Sequence, residues 1–198
     1  MTRPKTISDE AIVDAARRVF RSKGHAATTR EISAEAGISE GILYQRFGNK
    51  DELFFAAMLP SAPDIEELLG PEHPDVDAPS YMTRVLCKLE AYFGDVIPLA
   101  LHVLTHPSFD HATLGRAMAG AARVHEGLAR RLEWFEGKKQ IRKSTSAIAA
   151  KMLVSLAHDA ALSGAPHGSE LKSKELEAMA RLLWNGVAPA TNPARNER

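Results

Sequence analysis

The chain has a single cysteine, Cys87, so it cannot form an internal disulfide. This fits a reducing compartment such as the cytosol, where structural disulfides are rare. No apolar run approaches the ~18 residues that a membrane-spanning helix needs. The N-terminal stretch MTRPKTISDE lacks the apolar segment of a secretory signal. We therefore expect a cytoplasmic protein without a membrane segment.

Motifs for catalysis and metal binding are also lacking. The chain has no glycine-rich phosphate loop, no nucleophile elbow and no HExxH motif. The histidines considered as metal ligands are His102, His106 and His111. His102 and His106 have the four-residue spacing of two ligands on one helix, and Asp110 is near. No cysteine or carboxylate completes a recognisable ligand set with them. We expect no enzymatic activity, no metal site and no cofactor.

Charge is unevenly distributed along the chain. The 198 residues are 44% hydrophobic and 25% charged, which is enough apolar content for a substantial core, and the formal net charge is zero. Residues 1–50 nevertheless contain nine Lys or Arg against six Asp or Glu, an excess of three positive charges. A basic front segment on a neutral chain indicates that this segment alone contacts a polyanion.

Apolar residues recur at helical spacing almost throughout, and strand-like alternation is absent. These patterns predict an all-α protein. Residues 60–80, rich in proline and acids, are expected to form an irregular connector with a short helical turn at 64–69. Gly94 and Pro98 are expected to kink or break a helix. The predicted helices are residues 9–23, 29–36, 40–47, one that starts after Asn49, 79–93, 96–104, 111–136, 145–163 and 173–187.

The segment TTREISAEAGISEGILYQRFGNKDEL has the signals of two short helices, a turn and the start of a third helix. Thr28 and Glu31 have the spacing of a capping box. Gly37 suits the turn because glycine tolerates positive φ, and Ser39 and Asn49 suit the caps of the next two helices. Helices this short are stable only when they share a core. The expected core residues are Ile32, Ala36, Ile38, Ile42, Leu43 and Phe47.

This segment, with the upstream stripe AIVDAARRVFRSKGHAATT, resembles the DNA-binding domain of the TetR family of bacterial transcriptional regulators. The shared features are Thr-Thr opening the second helix, Ala-Gly-Ile at the turn, Leu-Tyr-x-x-Phe in the third helix and Asn-Lys-x-x-Leu opening the fourth. The resemblance by motif covers about residues 8–60. It implies an N-terminal three-helix helix-turn-helix domain, residues 1–53, followed by a helical-bundle domain, residues 54–198, for effector binding and dimerisation.

The resemblance also implies which residues contact DNA. Arg and Gln side chains suit guanine and adenine edges, and Lys50 suits phosphate. Four alternatives stay open. Glu40 accepts from cytosine or supports the start of its helix, and Tyr44 is a half-buried core ring. Gln45 lies on a solvated face, and Arg46 forms a structural salt bridge. The candidate DNA contacts are Thr29, Arg30, Ser39, Glu40, Gly41, Tyr44, Gln45, Arg46 and Lys50.

For the C-terminal domain, the resemblance implies a homodimer and a small-molecule effector of unknown identity. The helices at 145–163 and 173–187 are apolar over more than one face, which suits a four-helix bundle between two copies or, alternatively, an intrachain core. An apolar lining would suit a hydrophobic or amphiphilic effector, although each lining residue is equally compatible with solid core. The candidates are Met82, Leu86, Leu89, Phe93, Met118, Ala122, His125, Trp134 and Met152.

We therefore expect a homodimeric repressor that binds a palindromic operator in double-stranded DNA and is released by its effector. Two alternatives remain at this point. In the first, the chain is a ligand-binding or protein-interaction helical domain with an inert DNA-binding unit. In the second, it activates transcription. Sequence does not separate activation from repression, since both use the same DNA-binding domain.

Overall fold

The computed structural model describes residues 7–163 and 170–189, apart from the side chains of Ala117, Met118 and Leu171. Within these ranges the chain is helical and contains no strand, which confirms the predicted all-α class. A single 3₁₀ turn in these ranges, Gly24–Ala26, follows the first helix. The described helices are α1 (Asp9–Lys23), α2 (Thr29–Ala36), α3 (Glu40–Phe47), α4 (Lys50–Met58), α5 (Ile65–Leu69), α6 (Ala78–Leu104), α7 (His111–Gly137), α8 (Ser146–Leu162) and α9 (Glu170–Val187).

The predicted break in the sixth helix is wrong, because α6 continues through Gly94 and Pro98. Proline removes one backbone N–H and crowds the carbonyl four residues earlier, a cost of about 3 kcal/mol. Side chains on either side of it, Phe93 and Val103, are buried. The packing of these flanking turns outweighs the local penalty at Pro98.

Two compact units make up the chain. The first consists of Met1–Ser61 and Ile97–Met118, and the second of Ala62–Val96 and Ala119–Arg198. The domain boundary predicted after residue 53 stays a prediction.

Among the described residues, no helix is long and apolar enough to cross a membrane.

Side-chain caps begin the helices of the first unit where the sequence predicts them. Thr28 and Glu31 form the complete capping box of α2. Ser39 accepts from the backbone N–H of Ile42, and Asn49 accepts from that of Glu52 at 2.9 Å. These bonds satisfy backbone donors that the first turn of a helix leaves unpaired.

The core of the first unit joins α1 to α4 with the chain around Val103. Phe20 of α1 and Phe54 of α4 meet edge to face, with ring centroids 5.0 Å apart. Ile32 and Leu43, predicted to lock the short helices together, are fully buried. The same prediction is wrong for Ile42, which is 39% exposed because it lies on the outer side of α3. The buried cluster is Ile12, Ala16, Phe20, Ala27, Ile32, Leu43, Leu53, Phe54, Ala57, Met58 and Val103.

The second unit has its own core, which contains charged groups as well as apolar ones. Arg131 of α7 is 1% exposed and donates to the carbonyls of Gly70 and Gly127. Lys172 of α9 and Glu90 of α6 are buried with Nζ and Oε1 2.6 Å apart. Around these groups the buried side chains are mainly aliphatic and aromatic, and they come from α6, α7, α8 and α9.

Candidate nucleic-acid interface

The α2–turn–α3 segment presents α3 on the surface of the first unit. Gly37 has φ 68°, a left-handed conformation that glycine adopts without a steric penalty, and it ends α2. The next turn begins α3, whose inner side is anchored by Leu43. The outer side of α3 is solvent-exposed and carries Glu40, Gly41, Tyr44 and Gln45. Arg30 and Ser39 are exposed beside it, while Thr29, Arg46 and Lys50 are half-buried.

Hydroxyl groups and a carboxylate connect α2 and α3 on this surface. Thr29 Oγ1 donates to Glu40 Oε2 at 2.7 Å, and Tyr44 Oη lies 3.3 Å from the same Oγ1. Tyr44 keeps 46% of its surface exposed. The predicted site residues Thr29, Glu40 and Tyr44 are therefore adjacent in space, with their polar atoms directed at one another.

Arg46 is held by the start of the first helix. Its Nη1 donates to the carbonyl of Ile7 at 2.6 Å and lies 3.0 Å from Asp9 Oδ1. In this structure the structural salt bridge, one of the two alternatives from sequence, is formed. A base contact by Arg46 stays a prediction; both of these contacts use Nη1.

Lys50, at the start of α4, donates from Nζ to the carbonyl of His25 at 2.5 Å. An ammonium group has three donors, so two remain for other acceptors. The bond positions the ammonium beside the turn Gly24–Ala26, close to the N-terminus of α2 in sequence. A cation and a helix N-terminus are both suited to phosphate.

Several basic residues of α1 are paired with acids, a feature that sequence reasoning missed. Lys23 Nζ lies 2.6 Å from Glu31 Oε1, and Arg18 pairs with Glu35 at 2.8 Å. The hydrogen bond from Lys23, followed by those from Thr28, lowers the pKa of Glu31 to about 2. Part of the positive excess of this segment therefore stabilises the contact between α1 and α2, and less of it is available to a polyanion.

His106 lies in the first unit as a packed residue. Its ring is 6% exposed and stacks on Phe54 with centroids 4.2 Å apart. Nδ1 accepts from the backbone N–H of Ser108 at 3.2 Å, and Nε2 lies 3.7 Å from Asp51 Oδ1. Ser108 Oγ in turn donates to Asp51 Oδ2 at 2.5 Å. These contacts hold the start of α4, which carries Lys50.

His102 and His106 have the spacing of two metal ligands on one helix, and the structure shows the surroundings of His106. In residues 7–163 and 170–189 no three His, Cys, Asp or Glu side chains are grouped so that they could hold a metal ion. The Nδ1 atom of His106 is occupied by the Ser108 N–H, as described above. This aromatic and hydrogen-bonded environment assigns His106 a packing role.

Titration of His106 predicts a pH-dependent stability. Burial lowers the pKa of His106, Asp51 raises it, and His25 and Lys50 lower it further, with a net shift downward. As pH falls below the ordinary value of about 6.5, the unfolded chain takes up a proton that the folded one resists. The free energy of unfolding therefore falls with pH until the lowered folded pKa is passed.

We expect His106→Phe to reduce this slope, because phenylalanine keeps the stacking on Phe54 but does not titrate. Urea unfolding between pH 7.5 and 5 measures the slope of the unfolding free energy against pH. His111→Gln, at an exposed histidine, is the control that should retain this slope. Identical slopes for His106→Phe and the unsubstituted chain would contradict this assignment.

The candidate effector residues lie on α6, α7 and α8 and differ in exposure. Met82, Leu86, Leu89 and Phe93 are buried on α6. His125 and Trp134 are half-buried on α7, whereas Ala122 and Met152 are exposed. The side chain of Met118 lies outside the described residues.

Two of these residues already have polar or aromatic contacts. His125 Nδ1 lies 2.9 Å from the carbonyl of Ala121, and the Trp134 ring packs against His73 with Lys138 Nζ 4.5 Å from its centroid. An open cleft of about 490 Å³ between α5 and α7 is lined by other, mostly charged residues. The effector assignment stays a prediction.

A short exposed helix, presented by a glycine turn and supported by the shared core of α1 to α4, defines a helix-turn-helix, a motif of DNA-binding proteins. Comparison with known proteins finds a family that this segment resembles. Residues 12–57 match the family model described as bacterial regulatory proteins, tetR family. The matched segment runs from α1 into α4, so the helix-turn-helix part of this chain is similar to that family of bacterial transcriptional regulators.

A curated relative is similar over the same region. The chain is 36% identical over 61 residues to the HTH-type transcriptional regulator HbdR of Aromatoleum sp. (strain CIB). That match covers 29% of this chain and 27% of HbdR, so it spans about a quarter of the relative. The match gives no comparison for the rest of either chain.

Solved structures resemble the fold over nearly the whole chain. A TetR-family transcriptional regulator from Mesorhizobium loti MAFF303099 has a TM-score of 0.74 at 21% identity, covering 91% of this chain and 96% of that one. The TetR-family regulator PfmR from Thermus thermophilus has a TM-score of 0.66 at 20% identity, covering 93% and 100%. At these identities the likeness shows the fold alone.

Proposed function

We propose that the chain is a homodimeric repressor that binds a palindromic DNA operator through α3 of each copy. The observation that carries this proposal is the exposed outer side of α3, where Gly41, Tyr44 and Gln45 stand side by side. A helix of this kind fits the major groove, and its N-terminal part meets base edges. Gly41 adds no side chain, so the backbone of α3 can approach the bases closely.

Roles within this surface follow from the donors that each residue offers. Gln45 can bond adenine with both the carbonyl oxygen and the NH2 of its side-chain amide, and Arg30 can bond guanine or phosphate. Thr29, Ser39 and Tyr44 have hydroxyl groups suited to phosphate, and Lys50 has the ammonium described above. Arg46, held by Ile7 and Asp9, contributes mainly by fixing α3 against α1.

A single α3 exposes few side chains that distinguish bases, so selective binding calls for two copies. Apolar side chains exposed on the last two helices support a dimer. Ile148 and Met152, one turn apart on α8, are 63% and 47% exposed, and Leu182 on α9 is 74% exposed. A second copy that covers these side chains isologously would place two α3 helices on one DNA duplex.

We further propose that a hydrophobic or amphiphilic effector binds the second unit and releases the DNA. The apolar side chains that line one face of α6 support this choice of ligand class. An effector acts only if it binds better to the DNA-free arrangement of the dimer than to the DNA-bound one. A regulator of this kind would act in the bacterial cytoplasm, where the chromosome is.

Selection from a random DNA pool tests the DNA-binding proposal. The unsubstituted chain is expected to enrich a palindrome with half-sites about 34–36 Å apart, and gel shifts should then show binding by a dimer. Loss of the protein should raise transcription from a reporter promoter that contains this palindrome. Folded, dimeric protein that enriches no palindrome would contradict the proposal.

Substitutions of Lys50 and Gln45 should separate affinity from selectivity. Lys50→Ala is expected to weaken binding to all DNA sequences and to lower the dependence of log K on log salt by about 1, because one phosphate contact is lost. Gln45→Ala should instead alter the preferred base at one symmetric position. Fluorescence anisotropy at several salt concentrations measures both effects. An equal loss on every sequence for both variants would refute this division.

A further inference from the structure

The carboxylate of Glu40 lies within the surface that we propose to face DNA. Glu40 is exposed in the first turn of α3, and its Oε2 accepts the hydrogen of Thr29 Oγ1 at 2.7 Å. Tyr44 Oη lies 3.3 Å from the same Oγ1. An anion is therefore hydrogen-bonded to a hydroxyl group that is itself placed to bind phosphate.

A capping role at the start of its own helix does not account for Glu40. The start of α3 is already capped by Ser39, which accepts from the backbone N–H of Ile42 at 3.3 Å. The Glu40 carboxylate instead bonds Thr29 on α2, across the turn. A neutral acceptor at this position could also accept from Thr29, more weakly than a carboxylate but without the repulsion between a carboxylate and a DNA phosphate.

We infer that Glu40 is a specificity-determining residue that selects cytosine in each half-site; this inference rests on the proposed DNA-binding function. In the free protein the carboxylate accepts from Thr29. On DNA, Thr29 donates to a phosphate oxygen, and the carboxylate then needs another donor. The amino group at N4 of cytosine is the base-edge donor that pairs with Glu in the major groove.

The same carboxylate rejects the wrong base. Guanine presents N7 and O6, and thymine presents O4, which are all acceptors. A carboxylate facing any of them is desolvated without a donor and repelled by the lone pairs. Glu40 thus adds selectivity at the expense of overall affinity for DNA, because its charge also opposes the phosphates.

Base preference in three variants tests the inference. One base pair is changed at the same position in each half-site of the DNA that the unsubstituted chain enriches. Fluorescence anisotropy then measures binding to each of the changed sequences. Replacing the selected cytosine by thymine or guanine is expected to weaken binding by the unsubstituted chain about tenfold or more. Glu40→Ala should bind all of these sequences within about threefold of one another and should bind unrelated DNA more tightly than the unsubstituted chain.

Two further variants serve as controls. Glu40→Gln retains an acceptor for Thr29 and is expected to accept adenine in place of cytosine, since Gln pairs with adenine. Glu35→Gln changes the net charge equally at an exposed residue of α2 that pairs with Arg18. It should keep the cytosine preference of the unsubstituted chain.

The outcomes are distinguishable. If the unsubstituted chain enriches a palindrome while Glu40→Ala and Glu40→Gln both keep its base preferences, the inference is wrong and the DNA-binding function stands. A uniform loss of affinity on all sequences would assign Glu40 a structural role and overturn the inference as well. If the unsubstituted chain enriches no sequence, both the function and the inference fail.

Discussion

Replacing Lys172 by methionine is expected to lower the free energy of unfolding of the second unit by about 3–5 kcal/mol. Lys172 Nζ lies 2.6 Å from Glu90 Oε1, with side chains only 2% and 5% exposed. Replacing either residue breaks this ion pair, and the charge of the other residue stays buried. Glu90→Leu should therefore have an effect of the same size.

The double substitution Lys172→Met with Glu90→Leu should recover most of this loss. An apolar pair of similar volume avoids the desolvation cost that both charges incur, so it is often as stable as the ion pair. The two tryptophans of the chain, Trp134 and Trp184, both lie in the second unit. Their fluorescence during urea unfolding therefore reports on that unit.

An exposed ion pair on the same helix offers a matched control. Lys174 and Glu170 are also 2.6 Å apart, but their side chains are 69% and 83% exposed. Lys174→Met should leave stability nearly unchanged, because water screens this pair. If Lys172→Met proves no more destabilising than Lys174→Met, the buried pair does not contribute as we describe.

A negative charge on the outer side of α8 is expected to dissociate the proposed dimer. Ile148→Asp places a carboxylate where a second copy would bury an apolar side chain, and a buried unpaired charge is strongly unfavourable. A monomer then binds one half-site at a time. Its affinity for the full operator should fall at least about a hundredfold, because the linked second contact is lost.

Light scattering coupled to size-exclusion chromatography measures the oligomeric state, and anisotropy measures operator binding. Ile148 is 63% exposed, so the folded protomer should tolerate the change. Val76→Asp, at a 37% exposed apolar residue outside α8 and α9, is the control that should stay dimeric. A dimeric Ile148→Asp protein, or a monomeric one with undiminished operator affinity, would refute this interface.

Local signals explain why the DNA-binding helices were predictable. The bounds of α1, α2 and α3 agree with the predicted ones residue for residue. Each cap joins a side chain to a backbone N–H three residues away, and Gly37 adopts its positive φ without long-range help. Such interactions depend on close neighbours in sequence, so they can be recognised from residue order.

Long-range packing explains what was missed. Pro98 signals a break locally, yet the helix continues because its flanking turns are buried. Sequence leaves the partner of Arg46 open between an acid and a base edge, and the structure pairs it with Ile7 and Asp9. His102 and His106 share a suggestive spacing, but His106 is buried in a stack on Phe54.

By itself, the sequence determined the all-α class, the helix-turn-helix with its caps and turn, and the resemblance of that segment to the TetR family. It did so because helix periodicity, capping and the glycine turn act within a few residues. Only the tertiary structure decided that Glu40 bonds Thr29 and that Lys172 has Glu90 as a buried partner. Those pairings join different helices, so they depend on how the helices pack and cannot be recognised from spacing along the chain.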